Sequence, residues 1–359
     1  MNDQKLSEFY SDESKNYHSS TDILRFLLMP FVFFVLLGFP GKYGGYISTY
    51  SNFVAQAFFI LYGFFTLVPD KDKRDKKLKK AFKRSFKFFA IMLLSYLALN
   101  ILYIAYFNAL PSLLSAEFLR KRTFFDFLAF NIWPLPVGNS IWFIQSLVYA
   151  YIFFLIAEKI KLDKLYIPIL IILIIFTLST GELAAFFGFP HFGYSYIPAG
   201  ALTRTIPYML IGMLIRKKVD ILSKIPQFIY LILFIVGLLA AIAEIEVLNR
   251  IGKLAYTGHT VGFGIMAISL CCFAISRPVI KKNFLSYHGR SYSKRMYAFC
   301  QPAFFVCWIF TALINPAFVG IVRAYGSIIS FALSFLITFI IGIVRYAIVV
   351  EKSKKEKLH

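Results

Sequence analysis

Residues 327–344 read SIISFALSFLITFIIGIV, eighteen consecutive positions without a charge. A stretch of that kind suits the hydrocarbon core of a bilayer, which takes about 20 apolar residues of helix, and no water-facing surface would carry it. Residues 167–177, IPILIILIIFT, repeat the pattern in mid-chain. Of all 359 residues, 59% are hydrophobic, 19% aromatic and only 16% charged, whereas soluble domains carry about 25% charged residues. The mean hydropathy is +0.69. A soluble enzyme, a disordered chain, a collagen and a disulfide scaffold are excluded on these grounds.

Further apolar stretches flank these two. Ten segments are candidate spans, near 23–40, 50–68, 87–107, 140–158, 165–180, 199–215, 226–243, 255–275, 296–314 and 325–349. The expected fold class is all-α, a polytopic membrane helical bundle of about ten transmembrane helices. Asn315-Pro316 is a turn signal that separates the last two.

The chain carries 39 Lys and Arg against 18 Asp and Glu, a net charge of +21. In a soluble protein that excess would point to nucleic acid, but no nucleic-acid motif interrupts the apolar segments, and none is expected as a partner. Basic residues beside apolar spans instead stay on the cytoplasmic side. With the N-terminus in the cytoplasm, 29 basic residues fall in inside loops and tails, the densest run being Lys71 to Lys87. Only seven fall outside, while Arg25, Arg204 and Arg345 lie within or at the edge of spans. Losing or adding one helix would scramble this alternation, so both termini are expected in the cytoplasm. Three parts follow: a tail at 1–21, a transmembrane domain at 22–350 and a basic tail at 351–359.

Asp3, Glu8, Asp12 and Glu13 precede any apolar run, so the first span is expected to be a retained helix and no signal peptide. Cys271, Cys272, Cys300 and Cys307 all lie in apolar runs and read as buried thiols. Two outside loops are long. Residues 109–139 mix basic and aromatic side chains around Phe118 to Leu128, as an interfacial helix or a plain connection would. Residues 181–200 hold Glu182 and His191 among aromatic, Gly and Pro residues, and form either a cap over a cavity or an aromatic interface belt.

Six stretches, in order, carry a resemblance. They are Asp22-Ile-Leu-Arg25-Phe-Leu; Phe58-Phe59-Ile-Leu-Tyr62-Gly63-Phe64; Arg84-Ser-Phe-Lys87; Ile141-Trp142-Phe143; Pro207-Tyr-Met-Leu-Ile-Gly212-Met; and Gly289 to Pro302, with Ser293, Tyr297 and Cys300. Together they resemble the membrane acyltransferase-3 family over nearly the whole chain. The resemblance implies a multi-pass O-acyltransferase of a bacterial cell membrane, taking an acyl group from cytoplasmic acyl-CoA, most simply acetyl-CoA, to a cell-surface or extracellular glycan. It implies Arg25 among the catalytic residues and Arg84 and Lys87 on the phosphates of the CoA donor, where the forked donors of Arg suit the work. Polysaccharide-biosynthesis proteins would be its partners, beside the lipid bilayer and the glycan acceptor. No metal is expected.

The chain departs from the family at two histidines. Eleven residues beyond Arg25, where the family carries its proposed catalytic base, stands Leu36, and Cys300 stands where a second histidine is expected. Acyl transfer to a hydroxyl calls for a base near neutral, the role histidine fills best. Either the base has moved, with His259 as the first candidate and His191 and Glu182 behind it, or the chemistry is lost. His259 is alternatively an interfacial histidine bonded to water or backbone. Cys300 is a nucleophile or simple packing. Arg204 either snorkels or binds a substrate carboxylate or phosphate, and Trp142 either anchors at the interface or stacks on sugar. A repurposed relative, acting as a transporter or flippase for a glycan or lipid-linked intermediate, is the alternative function.

Overall fold

The computed structural model describes residues 19–107, 127–128, 131, 133, 135, 137–138, 140–181, 200–251, 259–276 and 284–356. Among them there are helices and no strand. The principal helices are α1 (Ser19–Leu37), α2 (Gly44–Tyr50), α3 (Phe53–Thr66), α4 (Lys71–Phe107), α5 (Ile141–Lys159), α6 (Tyr166–Thr180) and α7 (Ile206–Lys217). They continue with α8 (Val219–Leu222), α9 (Gln227–Arg250), α10 (Val261–Ser276), α11 (Phe284–Ile314), α12 (Val319–Ala324) and α13 (Gly326–Glu356). Most of loop 109–139, and His191 and Glu182, lie outside the described residues.

The described part of every apolar segment read from the sequence falls mainly on a helix, but among the described residues seven helical stretches are long and apolar enough to cross a bilayer. These are Ser20–Leu37, Lys71–Tyr106, Ile141–Lys159, Leu162–Ser179, Gln227–Arg250, Tyr292–Ile314 and Gly326–Val344. The remaining three are shortened for local reasons. α3 is confined to 14 residues, with Asn52 at its start and Pro69 soon after its end. α7 gives up its first turn to a π-turn at Ala201–Thr205. α10 starts after Thr260, whose hydroxyl accepts the Phe263 N–H at 3.1 Å as an N-cap does.

The chain divides into two compact units, Met1–Thr21 with Thr49–Ile280, and Asp22–Ser48 with Lys281–His359. In the first unit, glycines set the helix crossings. A Cβ at Gly63 would overlap the backbone of Met209, and one at Gly212 the carbonyl of Ile60, so α3 and α7 meet backbone to backbone. Gly237 and Gly262 bring α9 and α10 together in the same way. In lipid, where apolar burial gives helices little reason to associate, such small-residue contacts supply the packing. α5 joins α3 through Phe143, stacked on Phe59 at 4.6 Å. Exposed Leu94, Ile101, Ile172 and Ile235 form an outward apolar surface of the kind a bilayer covers.

In the second unit, Gly326, Ser330, Ser334, Thr338 and Gly342 recur every fourth residue along α13, a single stripe. Ser330, Ser334 and Thr338 are fully buried. Gly326 lies against the Phe304 ring and Gly342 against the Tyr292 hydroxyl, both on α11. α1 packs on the neighbouring stripe of α13, with Phe33 edge-on to Phe331 at 5.4 Å and Phe26 to Phe335 at 6.2 Å.

Candidate functional site

Arg204 sits on the π-turn that leads into α7, and it is 6% exposed. The backbone explains why the chain widens there. Pro207 has no N–H, so the carbonyl of Thr203, four residues back, loses its helical donor. The Thr177 hydroxyl of α6 takes that place, 2.6 Å from the Thr203 oxygen, sharing its proton with Leu173 O at 2.7 Å. The next residue, Thr205, is hydrogen-bonded hydroxyl to hydroxyl with Ser146 of α5. The π-turn is thereby tied to two neighbouring helices, and π-turns recur at functional sites.

The Arg204 guanidinium carbon lies 5.2 Å from the centroid of the Trp142 ring, a cation–π contact. Tyr208, one turn further on, also interacts electrostatically with it. Trp142 is held from the other side, because the Asn131 amide donates to its carbonyl at 2.5 Å. Gln145, one turn along α5, donates to Phe127 O at 2.8 Å and to the Tyr149 hydroxyl at 2.9 Å. A cation buried in an apolar bundle is costly unless it has work to do. The geometry presents a fixed, planar, forked donor beneath an aromatic ring, an arrangement able to take a carboxylate or phosphate oxygen, or to stack a sugar.

His259 is buried just before the start of α10. Its Cβ and carbonyl lie against Gly181, where a side chain would approach to 2.8 Å. Thr177 and Gly181 are one turn apart at the end of α6, so that end touches both the Arg204 turn and His259. Arg204, Trp142 and His259 therefore all belong to the first unit.

The other expected residues are placed differently. Arg25 belongs to the second unit and pairs with Asp22 at 2.5 Å, one turn back on α1. Arg84 and Lys87 belong to the first unit and are exposed on α4. Cys300 is fully buried on α11.

Sequence reasoning missed several buried polar groups, Arg74 and His288 among them. Arg74, lost in the run Lys71 to Lys87, turns inward. Its Nε lies 2.7 Å from Glu158 Oε1, and its Nη2 lies 2.9 Å from Glu158 Oε2 and 3.2 Å from Asp163 Oδ2. Tyr166 donates to the same Glu158 at 2.8 Å. This latch joins α4, α5 and the start of α6, and the readable signal is Glu158, the only acid in α5. Just before α4, the Asp70 carboxylate accepts the Lys73 N–H at 3.0 Å, and that bond holds its carboxyl below the ordinary value. His288 lies in the first turns of α11. No family model, curated protein or solved structure matches the chain.

Proposed function

We propose that the chain is a ten-span membrane protein with both termini in the cytoplasm, and that it transfers an acyl group from cytoplasmic acyl-CoA to a glycan destined for the cell surface of a bacterium. The observation that carries this reading is spatial. Stretches that resemble acyltransferase-3 motifs, though far apart in sequence, meet in the fold. Phe58–Phe64, Ile141–Leu147 and Pro207–Met213 interlock through Gly63, Gly212 and the stacked Phe59 and Phe143. In the other unit Gly289 rests on the carbonyl of Asp22, so the opening stretch meets the one that ends at Pro302.

In this reading Arg84 and Lys87 of the first unit engage the donor phosphates and Arg204 and Trp142 of the same unit hold the acceptor, while Arg25, in the second unit, keeps the catalytic role that the resemblance implies. The test is glycan mass spectrometry on cells with and without the protein, together with release of free CoA from acetyl-CoA by the purified protein. Loss of surface acylation on deletion supports the reading, and absence of both effects overturns it. One observation favours the second reading, a transporter or flippase on the same scaffold: Leu36 stands where the base of a transferase is expected. Unchanged acylation with accumulation of an unexported glycan intermediate would select it.

A further inference from the structure

We propose that the Arg204 site takes a sugar acid, a ring bearing one carboxylate and several hydroxyls, and that Gln145 and Asn131 select it; this rests on the reading that Arg204 and Trp142 hold the acceptor. All four residues belong to the first unit. Trp142, Gln145 and Ser146 stand at helical spacings of three and four on α5 and so share one face. That face meets the π-turn, where the Trp142 ring lies 5.2 Å from the Arg204 guanidinium carbon and Ser146 is bonded to Thr205. In the ten-span arrangement these are the outer ends of their spans, so the site needs one unit and one side of the membrane.

Two acceptors beside Trp142 are unmet. The Gln145 Nε2 faces the Phe127 carbonyl at 2.8 Å and the Tyr149 hydroxyl at 2.9 Å. A carbonyl only accepts, so this edge of the amide is the donor, and Oε1 is the other edge. That oxygen is buried with no hydrogen-bond partner among the described residues. Asn131 repeats the arrangement. Its backbone takes the left-handed conformation, φ 65°, which Asn tolerates better than most residues. Its Nδ2 donates to the Trp142 carbonyl, and its Oδ1 is likewise buried and unmet among the described residues. The two residues are 1% and 3% exposed. Buried polar atoms are nearly always paired, so two open acceptors on side chains tied to one short stretch of α5 call for donors that arrive with a ligand.

Each group names a part of that ligand. One guanidinium matches one carboxylate edge to edge. The two amide oxygens repel further anionic oxygens and require O–H donors. Trp142 and Tyr208, both of which interact with Arg204, are half-buried and offer flat apolar surfaces to the C–H face of a sugar ring. A carboxylate, hydroxyls and a C–H face together describe a sugar acid. The headgroup of phosphatidylglycerol shares the single charge and the hydroxyls but has no ring to lay on Trp142.

The test uses the full chain in phosphatidylcholine nanodiscs and reads dissociation constants by saturation-transfer NMR. The probes are methyl glucuronide, methyl glucoside, which lacks the carboxylate, tetrahydropyran-2-carboxylate, which lacks the hydroxyls, and glycerophosphoglycerol, the soluble lipid headgroup. Methyl glucuronide is expected to bind about tenfold tighter than each of the others, as the loss of a charged contact or of the hydrogen bonds to the amides would give. Arg204→Gln should erase the preference over methyl glucoside, and Gln145→Met the preference over tetrahydropyran-2-carboxylate. Equal binding of methyl glucoside overturns the acidic ligand. Equal binding of tetrahydropyran-2-carboxylate means that water meets the amides and overturns their role. Equal binding of glycerophosphoglycerol assigns the site to a lipid headgroup and overturns the sugar, and no binding of methyl glucuronide overturns the site. Should Gln145→Met not fold, the comparison of probes on the wild type decides, because it alters the ligand alone. Release of CoA from acetyl-CoA by the same preparation keeps the two readings apart. Acid-selective binding without release overturns acyl transfer and leaves the site standing, whereas release without acid-selective binding overturns the site alone.

Discussion

Arg74 and Arg204 show how differently two buried arginines are held. Arg74 is neutralised by Glu158 and Asp163, and cutting such a buried pair leaves an uncompensated charge. Glu158→Gln is expected to cost about 3–5 kcal/mol of stability, read as a lowered thermal midpoint in detergent. Replacing both partners, Arg74→Met with Glu158→Leu, should recover much of that loss, because no buried charge is left alone. Arg204 lies against the Trp142 ring. Arg204→Lys keeps the cation and removes the planar fork over Trp142, and on the proposed function should lower acyl transfer about tenfold with little change in folding. Asp70 gives a pH test. Since the bond from Lys73 lowers its carboxyl below the ordinary 3.8, its help to the first turn of α4 is full above that value and is lost as the pH falls through the lowered one. Faster hydrogen exchange of the Lys73 amide in acid, absent in Asp70→Ala, would show it. Arg204 is legible in the sequence because it interrupts an apolar segment. Arg74 is not, because nothing in a run of ten basic residues says which one turns inward.

Hydropathy marks where lipid could lie, but helices obey other limits. Segments expected at 87–107 and 296–314 belong to helices of 37 and 31 residues, α4 and α11. Charged residues such as Asp75 and Lys79, paired at 2.6 Å one turn apart, continue a helix as readily as apolar ones. The small residues of α13 recur every fourth position in SIISFALSFLITFIIGIV, but absence of charge was all that its hydropathy conveyed, and even the period describes one face and names no helix opposite. Glycines separate the two kinds of contact. Gly212→Ala should be severely destabilising, since its Cβ would meet the rigid carbonyl of Ile60, whereas Gly320→Ala, with nothing within 4 Å, should stabilise α12 by up to about 1 kcal/mol. Thermal midpoints of the two variants, measured side by side, should move in opposite directions.

At the scale of the whole molecule, the net charge of +21 and the apolar exterior belong to one physical problem, the placing of a chain in a bilayer. Basic residues resist transfer across the membrane, so their distribution fixes orientation even where helix length leaves the number of spans open. The short helices α3, α7 and α10 bear most on this, because dropping any one of them would reverse the sides of all that follows. Two positions at a distance along the chain decide the matter. Lys83 lies in the dense basic run and Lys42 in the short connection after α1, on opposite sides in the proposed arrangement. Introduced singly as Lys83→Cys and Lys42→Cys, with the four native cysteines replaced, they are expected to differ. The thiol at 42 should react with a membrane-impermeant maleimide in intact cells, and the one at 83 only after permeabilisation. A third, Lys355→Cys, should behave like 83 if all ten helices cross and like 42 if one of the short helices does not, so a single labelling pattern reads both the orientation and the parity of the spans.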